Sequence, residues 1–193
     1  MNILFKIYIF YGLIFFCFSI SLNKKSFEKN YCKNCSKCSL GYTGSGVLLY
    51  KKNNNCKKFV LGLDYKNELT DFGGKIDFTS EKIWDTASRE LFEESNRVFN
   101  ISGREILSND YIDIDRNTHK YRCYILQIKY FDKNQFYNNK LDSIHSTLPY
   151  NEINNIIEIK EENLKKLLFN KSDNSYTFSL RLEKILQIYF ESK

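Results

Sequence analysis

The sequence has little of what marks a repeat protein or a nucleic-acid-binding surface. No internal repeat is visible, and the chain contains a single proline. Net charge is +6, yet the lysines are scattered and form no compact basic stripe or basic–aromatic repeat. Charge therefore favours anionic partners only weakly. The 193 residues suit one domain of about 150 residues with extensions.

The six cysteines of the chain follow no clean disulfide framework. Cys32, Cys35 and Cys38 are each separated by two residues. This spacing suits tetrahedral zinc, for which Cys56 is the only nearby fourth thiolate. Structural Zn²⁺ is one interpretation, and extracellular disulfides or unpaired thiols are the others, because the compartment decides the thiol state. Cys123 lies in a predicted buried strand, where it acts as a small hydrophobe.

The first residues form a targeting element and not part of the core. Residues 7–22 are uncharged and strongly apolar, a good length for a signal-peptide core and near the short limit for a membrane span. The lysines after this run outnumber the positive charge before it, which favours an uncleaved anchor with a cytosolic domain. We expect residues 1–22 to be a signal peptide or a membrane anchor. Residues 23–40 are expected to be a cysteine-bearing linker or cap.

Acidic residues are concentrated in the segment Gly73–Asn96. If 84–96 is a helix, Glu90, Glu93 and Glu94 stand at i, i+3 and i+4 on one face. Their mutual repulsion is unfavourable without a counter-charge. Such a face suits hard divalent cations, which prefer oxygen ligands.

This segment resembles the Nudix box, in which a glycine, a glutamate and an Arg-Glu-aliphatic-x-Glu-Glu run stand at fixed spacing. Glu81 is followed by seven residues and then by the matching run at 89–94. Six residues, not five, separate Gly74 from Glu81, an insertion near 78–80. Asn96 and Arg97 replace the closing glycine–aliphatic pair. Asparagine tolerates a left-handed helix end, and Val98 is placed to supply the apolar contact one residue late.

The resemblance covers roughly residues 42–190 and implies a Nudix-like α/β/α sandwich with a mixed β-sheet over 41–193. It further implies Mg²⁺- or Mn²⁺-dependent hydrolysis of a phosphoanhydride in a nucleoside diphosphate linked to another moiety. The implied metal ligands are Glu90, Glu94, Glu93 and the carbonyl of Gly73. The two adjacent glycines are expected to permit backbone torsions that a side chain would forbid.

The same resemblance implies the supporting residues. Arg89 is expected to neutralise and orient the acids, and Glu81 to assist it. The general base is Glu93, or else a residue of a later loop or strand. Candidates there are Glu152, Glu158, His119 and His145, and each of these is otherwise an ordinary exposed side chain.

Substrate contacts follow from the Asp71–Lys75 run, which is similar to that of Nudix hydrolases acting on small nucleotides. Lys75 and Phe72 are therefore candidate substrate-binding residues. Aromatic rings at Tyr42, Tyr111 and Tyr121 are alternatives for base stacking, with packing as their ordinary role. Capped RNA is a further substrate class, although the missing basic patch weighs against it. The altered box edges also leave open a nucleotide- or partner-binding module without hydrolysis, or a membrane scaffold.

Apolar periodicity predicts the remaining elements. The predicted strands are 43–50, 58–63, 106–114, 121–130 and 154–160, with a polar turn at 51–57. Besides 84–96, helices are predicted near 161–169 and 177–190. In the last helix we expect Leu180, Ile185 and Ile188 to face the core.

Overall fold

A computed structural model describes residues 41–53, 56–77, 81–116, 119–143, 152–170 and 176–192. These residues form a mixed α/β fold in which helices flank a mixed β-sheet. In this part of the chain no helix is both long and apolar enough to cross a membrane. The predictions for residues 1–40, the insertion at 78–80 and His145 fall outside the described residues.

The chain alternates strands and helices. The strands are β1 (Tyr42–Asn53), β2 (Cys56–Asp64), β3 (Glu68–Thr70), β4 (Phe72–Lys75), β5 (Tyr111–Arg116), β6 (His119–Gln127), β7 (Ile153–Lys160) and β8 (Thr177–Phe178). The helices are α1 (Ile83–Glu94), α2 (Gly103–Leu107), α3 (Lys133–Ser143), α4 (Glu161–Asn170) and α5 (Leu180–Glu191).

Strand β1 is the central strand and changes partner along its length. The sheet order is β5-β6-β1-β2-β3-β8, with β4 also pairing with β1 and β7 also pairing with β2. β1 pairs parallel with β6 from Tyr42 to Tyr50, while its first half pairs antiparallel with β4 and its second half with β2. In the first half, Gly46 lies opposite Gly73 and Ser45 opposite Gly74. This switch holds the glycine pair against the start of β1.

Helices cover both faces of the sheet. Because side chains alternate along a strand, Val47 and Leu49 of β1 pack on one side and Leu48 on the other. The first side is covered by α1, through residues that include Leu91. The second is covered by α4 and α5, with Ile185 fully buried there. Two apolar clusters therefore fix α1 and α5 relative to the same strand.

Several predicted elements are confirmed, with shifted ends. α1, β6, β7 and α4 match their predicted segments within a few residues. The predicted hairpin of these two strands is confirmed, but its polar turn was predicted too long at 51–57, because β1 continues to Asn53 and β2 starts at Cys56, with Lys51 paired to Lys58 and Asn53 to Cys56. The polar side chains of the two strands in this segment are exposed or partly exposed, and their backbones keep the hydrogen bonds of the hairpin.

Other expectations fail at element ends. The strand predicted to start at Ile106 starts at Tyr111, because 103–107 form α2, whose first turn is capped by Ser102 Oγ. Leu180 is 71% exposed, so the prediction that it faces the core is wrong. The buried face of α5 consists of Leu182, Ile185, Leu186, Tyr189 and Phe190.

Candidate active site

A cavity of about 720 Å³ lies where the start of β1, strand β4 and helix α1 meet. It brings together most of the site residues that the sequence predicts. Those lining it are Gly73, Lys75, Arg89, Glu90, Glu93, Glu94, His119, Tyr121 and Glu152. The cavity also has a residue that the sequence did not single out, Arg181 of α5.

Arg89 is the electrostatic centre of the acidic face. Its Nε donates to Glu81 Oε1 at 3.0 Å, and its Nη1 donates to Glu90 Oε1 at 2.8 Å and Glu93 Oε2 at 3.1 Å. Nη2 donates to the carbonyl of Lys75 at 2.9 Å, which ties α1 to the end of β4. Burial is the largest single influence on Glu81 and raises its pKa, but the hydrogen bonds from Arg89 and the Asp77 amide, together with the charge of Arg89, outweigh it and leave the pKa lowered.

The two glycines of β4 let neighbouring side chains pack directly on the backbone, and their own backbone torsions are ordinary. Among the described glycines a positive φ occurs only at Gly41, so the torsional role expected for Gly73 and Gly74 is wrong. A Cβ at Gly74 would lie 2.6 Å from both carboxylate oxygens of Glu90. A Cβ at Gly73 would collide with the hydroxyl of Tyr121. Side chains must be absent here because a carboxylate and a phenol pack directly on the backbone.

Glu94 and Glu90 are carboxylates held out of water. Glu94 is 8% exposed, and its Oε2 accepts a hydrogen bond from the Gly73 amide at 2.6 Å. Burial raises the pKa of Glu94 well above its ordinary value, while the charge of Arg181 opposes the shift. Burial also raises the pKa of Glu90 to about 7, against the opposing charge of Arg89. Burial therefore disfavours the charged form of both carboxylates, and a nearby cation would stabilise it.

These residues fit a hard divalent cation. Carboxylate and carbonyl oxygens are the donors that Mg²⁺ and Mn²⁺ prefer, and Glu90 and Glu94 stand one turn apart beside the backbone of Gly73. Within the described ranges, no three Asp, Glu, His or Cys side chains already converge as a ligand cluster. Arg89 Nη1 lies between Glu90 and Glu93 and donates to both. Nη1 bonds one oxygen of each acid and leaves the other oxygen of each carboxylate for a cation.

The end of α1 takes the conformation expected for the altered box. Asn96 has φ 51°, the left-handed value that a closing glycine would adopt, and Arg97 follows with φ 65°. The Arg97 amide donates to the carbonyl of Phe92 at 2.7 Å, which completes the helix end. Val98 packs against the core cluster as expected. The Asn96 side chain is buried, and neither of its amide atoms has a hydrogen-bond partner in the described part of the chain.

Beneath the acids lies a polar network that the sequence did not reveal. Asp71 is fully buried and accepts from Arg181 Nε at 2.7 Å and from the Tyr121 hydroxyl at 2.7 Å. The guanidinium of Arg181 lies 4.9 Å from the centre of the Tyr121 ring. One signal was available, since Arg181 stands four residues before the buried Ile185 on the same face of α5. A charge on a core-facing helical position indicates a buried partner.

The base candidates separate in space. Glu152 and His119 line the cavity together with Glu93. Glu158 lies elsewhere, with Lys51 Nζ at 2.5 Å from its Oε1 and Lys58 Nζ at 3.8 Å from its Oε2.

Some predicted substrate and metal residues lie away from the cavity. Phe72 is fully buried and its ring packs on Phe99, with centroids 6.0 Å apart. Tyr42 and Tyr111 flank the guanidinium of Arg122, at 4.9 Å and 3.7 Å from their ring centres. These three rings contact other side chains and do not line the cavity. Cys56 is a free thiol, and its three expected zinc partners lie outside the described residues.

The chain is similar to several solved structures, all at low sequence identity. No protein-family model and no curated protein matches the chain. An Ap4A hydrolase of C. elegans in a binary complex aligns over 77% of this chain and 95% of its own, with a TM-score of 0.46 and 14% identity. The Nudix domain of NrtR from Shewanella oneidensis, complexed with ADP-ribose, aligns over 85% and 94%, with a TM-score of 0.47 and 11% identity.

A pyrophosphohydrolase of Bacillus subtilis aligns over 79% of this chain and 83% of its own, with a TM-score of 0.45 and 17% identity. The chain resembles Nudix hydrolases. Identity and structural similarity are both too low to carry an activity across. We therefore base the function on the geometry of the residues in the cavity.

Proposed function

We propose that this chain is a divalent-metal-dependent nucleotide pyrophosphohydrolase, with a Nudix-like α/β/α sandwich over residues 41–193. One observation carries the proposal. Helix α1 presents Glu90, Glu93 and Glu94 to a single cavity, against the backbone of Gly73 and Gly74. Two of these acids are held in partly or fully dehydrated positions, where a bound cation stabilises their charged form.

The residues that would hold Mg²⁺ or Mn²⁺ are Glu90, Glu94, Glu93 and the carbonyl of Gly73. When bound, the ions neutralise the diphosphate and lower the pKa of an attacking water. Arg89 holds Glu81 through Nε and one oxygen each of Glu90 and Glu93 through Nη1, so the other oxygens of the two acids would face the ion. Arg89 and Glu81 thus act as positioning residues that hold the acids and the end of β4 in register.

The remaining cavity residues have complementary roles. Glu93 accepts the proton of the attacking water, with Glu152 as the alternative base from the segment before β7. Lys75, exposed at the end of β4, binds a phosphate oxygen of the substrate. The substrate is a nucleotide or nucleotide derivative that contains a phosphoanhydride. Ap4A and ADP-ribose belong in the test panel because similar proteins are named for them or bind them.

The test is hydrolysis by the full-length chain with Mg²⁺ or Mn²⁺. The panel contains nucleoside triphosphates, ADP-ribose, dinucleoside polyphosphates and capped RNA, with phosphate or pyrophosphate release as the readout. We expect Glu93→Gln and Glu94→Gln to abolish turnover and to remain folded. Glu162→Gln, an exposed acid of α4, is the matched control and keeps full activity. No turnover across the panel with either metal rejects the proposal.

A second candidate is a Nudix-fold module that binds a nucleotide or partner without cleaving it. The observation favouring it is the position of Arg89 Nη1 between Glu90 and Glu93. Because Arg89 already neutralises part of the acidic charge, it lowers the affinity of these acids for a metal ion. Calorimetry distinguishes the two candidates, because a pure binding module takes up a panel member tightly and releases no product.

The predictions for the N-terminal residues stay predictions. A cleaved signal peptide at 1–22 places the domain in the secretory pathway, whereas an anchor leaves it cytosolic. Zinc at Cys32, Cys35, Cys38 and Cys56 requires reduced thiols, so the two questions are linked. Mass measurement of the mature N-terminus, together with metal analysis, answers both.

A further inference from the structure

Arg181 is a cation of the cavity that the proposed chemistry leaves unused. Its Nε donates to Asp71 at 2.7 Å, and Nη2 makes a long 3.4 Å contact with Thr70 Oγ1. Nη1 has no hydrogen-bond partner among the residues that the structure describes. Its side chain is 30% exposed and lines the cavity. Arg181 is thus anchored at one edge of its guanidinium and accessible at the other.

Asp71 and Tyr121 hold the guanidinium of Arg181 in place. Asp71 is fully buried, and its second oxygen accepts from the Tyr121 hydroxyl, which restrains the carboxylate. The Tyr121 ring lies beneath the guanidinium, with its centre 4.9 Å from the Arg181 Cζ. A planar guanidinium held on an aromatic face loses little conformational entropy when it binds an anion.

The other cations of the cavity are placed differently. Arg89 is engaged by Glu81, Glu90 and Glu93, and Lys75 is an exposed side chain. Arg181 is the cavity arginine whose donors are not spent on the acids of α1. It also comes from α5, so that it supplies positive charge from an element other than the acidic helix.

We propose that Arg181 is a substrate-binding residue that donates through Nη1 to a phosphate oxygen of the substrate diphosphate. Asp71 and Tyr121 are its positioning residues. This inference rests on the proposed function for its ligand class. A charge-assisted hydrogen bond of a guanidinium to phosphate is short and strong, so its loss lowers affinity by about 10- to 100-fold.

The test is calorimetric binding of α,β-methylene-ADP to the full-length chain in Mg²⁺, because this probe is not cleaved at its bridge. We expect Arg181→Gln to weaken binding about tenfold or more. The control is Arg104→Gln, an exposed arginine of α2 outside the cavity, which binds as wild type. Arg181→Lys keeps the charge beside Asp71 but not the fork, and we expect an intermediate affinity.

A double variant distinguishes substrate binding by Arg181 from a purely structural role. Asp71→Asn with Arg181→Gln removes both charges of the pair, so no buried carboxylate is left unpaired. We expect this variant to retain its thermal midpoint and the weak probe binding. Wild-type affinity in the double variant overturns the inference. If Arg181→Gln and the double variant both unfold, wild-type affinity in folded Arg181→Lys overturns it instead.

The outcome is distinguishable from failure of the proposed function. Probe binding that depends on Arg181 without turnover across the nucleotide panel supports the inference and rejects the enzyme. Turnover with an unchanged KM in Arg181→Gln supports the enzyme and overturns the inference. Wild-type protein that binds neither this probe nor Mg²⁺-pyrophosphate overturns the inference.

Discussion

The Gly73 amide donates a hydrogen bond to Glu94 Oε2 at 2.6 Å, which joins strand β4 to helix α1 at the floor of the cavity. Twenty-one residues separate the two in sequence. The bond fixes one carboxylate oxygen on the backbone that is expected to offer a carbonyl to the metal. A shift in either element therefore changes both donors together.

Gly74→Ala tests whether glycine is needed at this position so that the Glu90 carboxylate can pack against the backbone. The new Cβ lies 2.6 Å from both oxygens of Glu90, so the carboxylate must move. We expect a loss of about 1–3 kcal/mol in the free energy of unfolding and a strong loss of turnover. Chemical denaturation and a nucleotide assay measure the two effects.

The control for this prediction is the same change in a Glu90→Ala background. With the carboxylate gone, Gly74→Ala has less to displace, and its additional cost in stability is small. An equal cost in both backgrounds shows that the strain arises elsewhere.

Arg89→Gln tests the counter-charge. The substitution leaves Glu81, Glu90 and Glu93 without their shared cation, and we expect a loss of about 3–5 kcal/mol in the absence of metal. Because a divalent cation neutralises the same acids, Mn²⁺ is expected to recover part of that loss. Thermal unfolding in chelator and in Mn²⁺ measures the recovery. If Mn²⁺ raises the midpoint of the variant no more than that of wild type, the acids do not share a metal site.

Asn96→Gly tests the altered end of the box. Asn96 has φ 51°, and its buried amide has no partner within the described chain. Glycine adopts this conformation freely and removes the unpaired amide, so we expect stability to rise by about 1 kcal/mol. Asn100→Gly, at an exposed position without positive φ, is the control and gives no gain. A loss of stability in Asn96→Gly contradicts the prediction and shows that the buried side chain stabilises the helix end.

The acidic face was predictable because its information is local. Helical spacing alone places Glu90, Glu93 and Glu94 together, and the structure brings all three to one cavity. The helix end was predictable for the same reason, since asparagine is the non-glycine residue that best tolerates the left-handed region. Both predictions depend on neighbours within one or two turns.

The buried network was not predictable, because its partners are distant in sequence. Arg181 and Asp71 are 110 residues apart, and Tyr121 and Asp71 are 50 apart. Their pairing depends on how α5 packs across the sheet. Helix α3 was missed for a different reason, since its sequence is polar and gives no apolar stripe, although Phe136 within it is fully buried.

The most direct test of the acidic face as a metal site is Mn²⁺ titration of the full-length chain, followed by the paramagnetic signal of the free ion. Wild type and the exposed-acid control Glu162→Gln are expected to bind Mn²⁺ equally. The double variant Glu90→Gln with Glu94→Gln is expected to lose at least one bound ion per chain while remaining folded. Equal Mn²⁺ binding by the double variant and wild type contradicts the account.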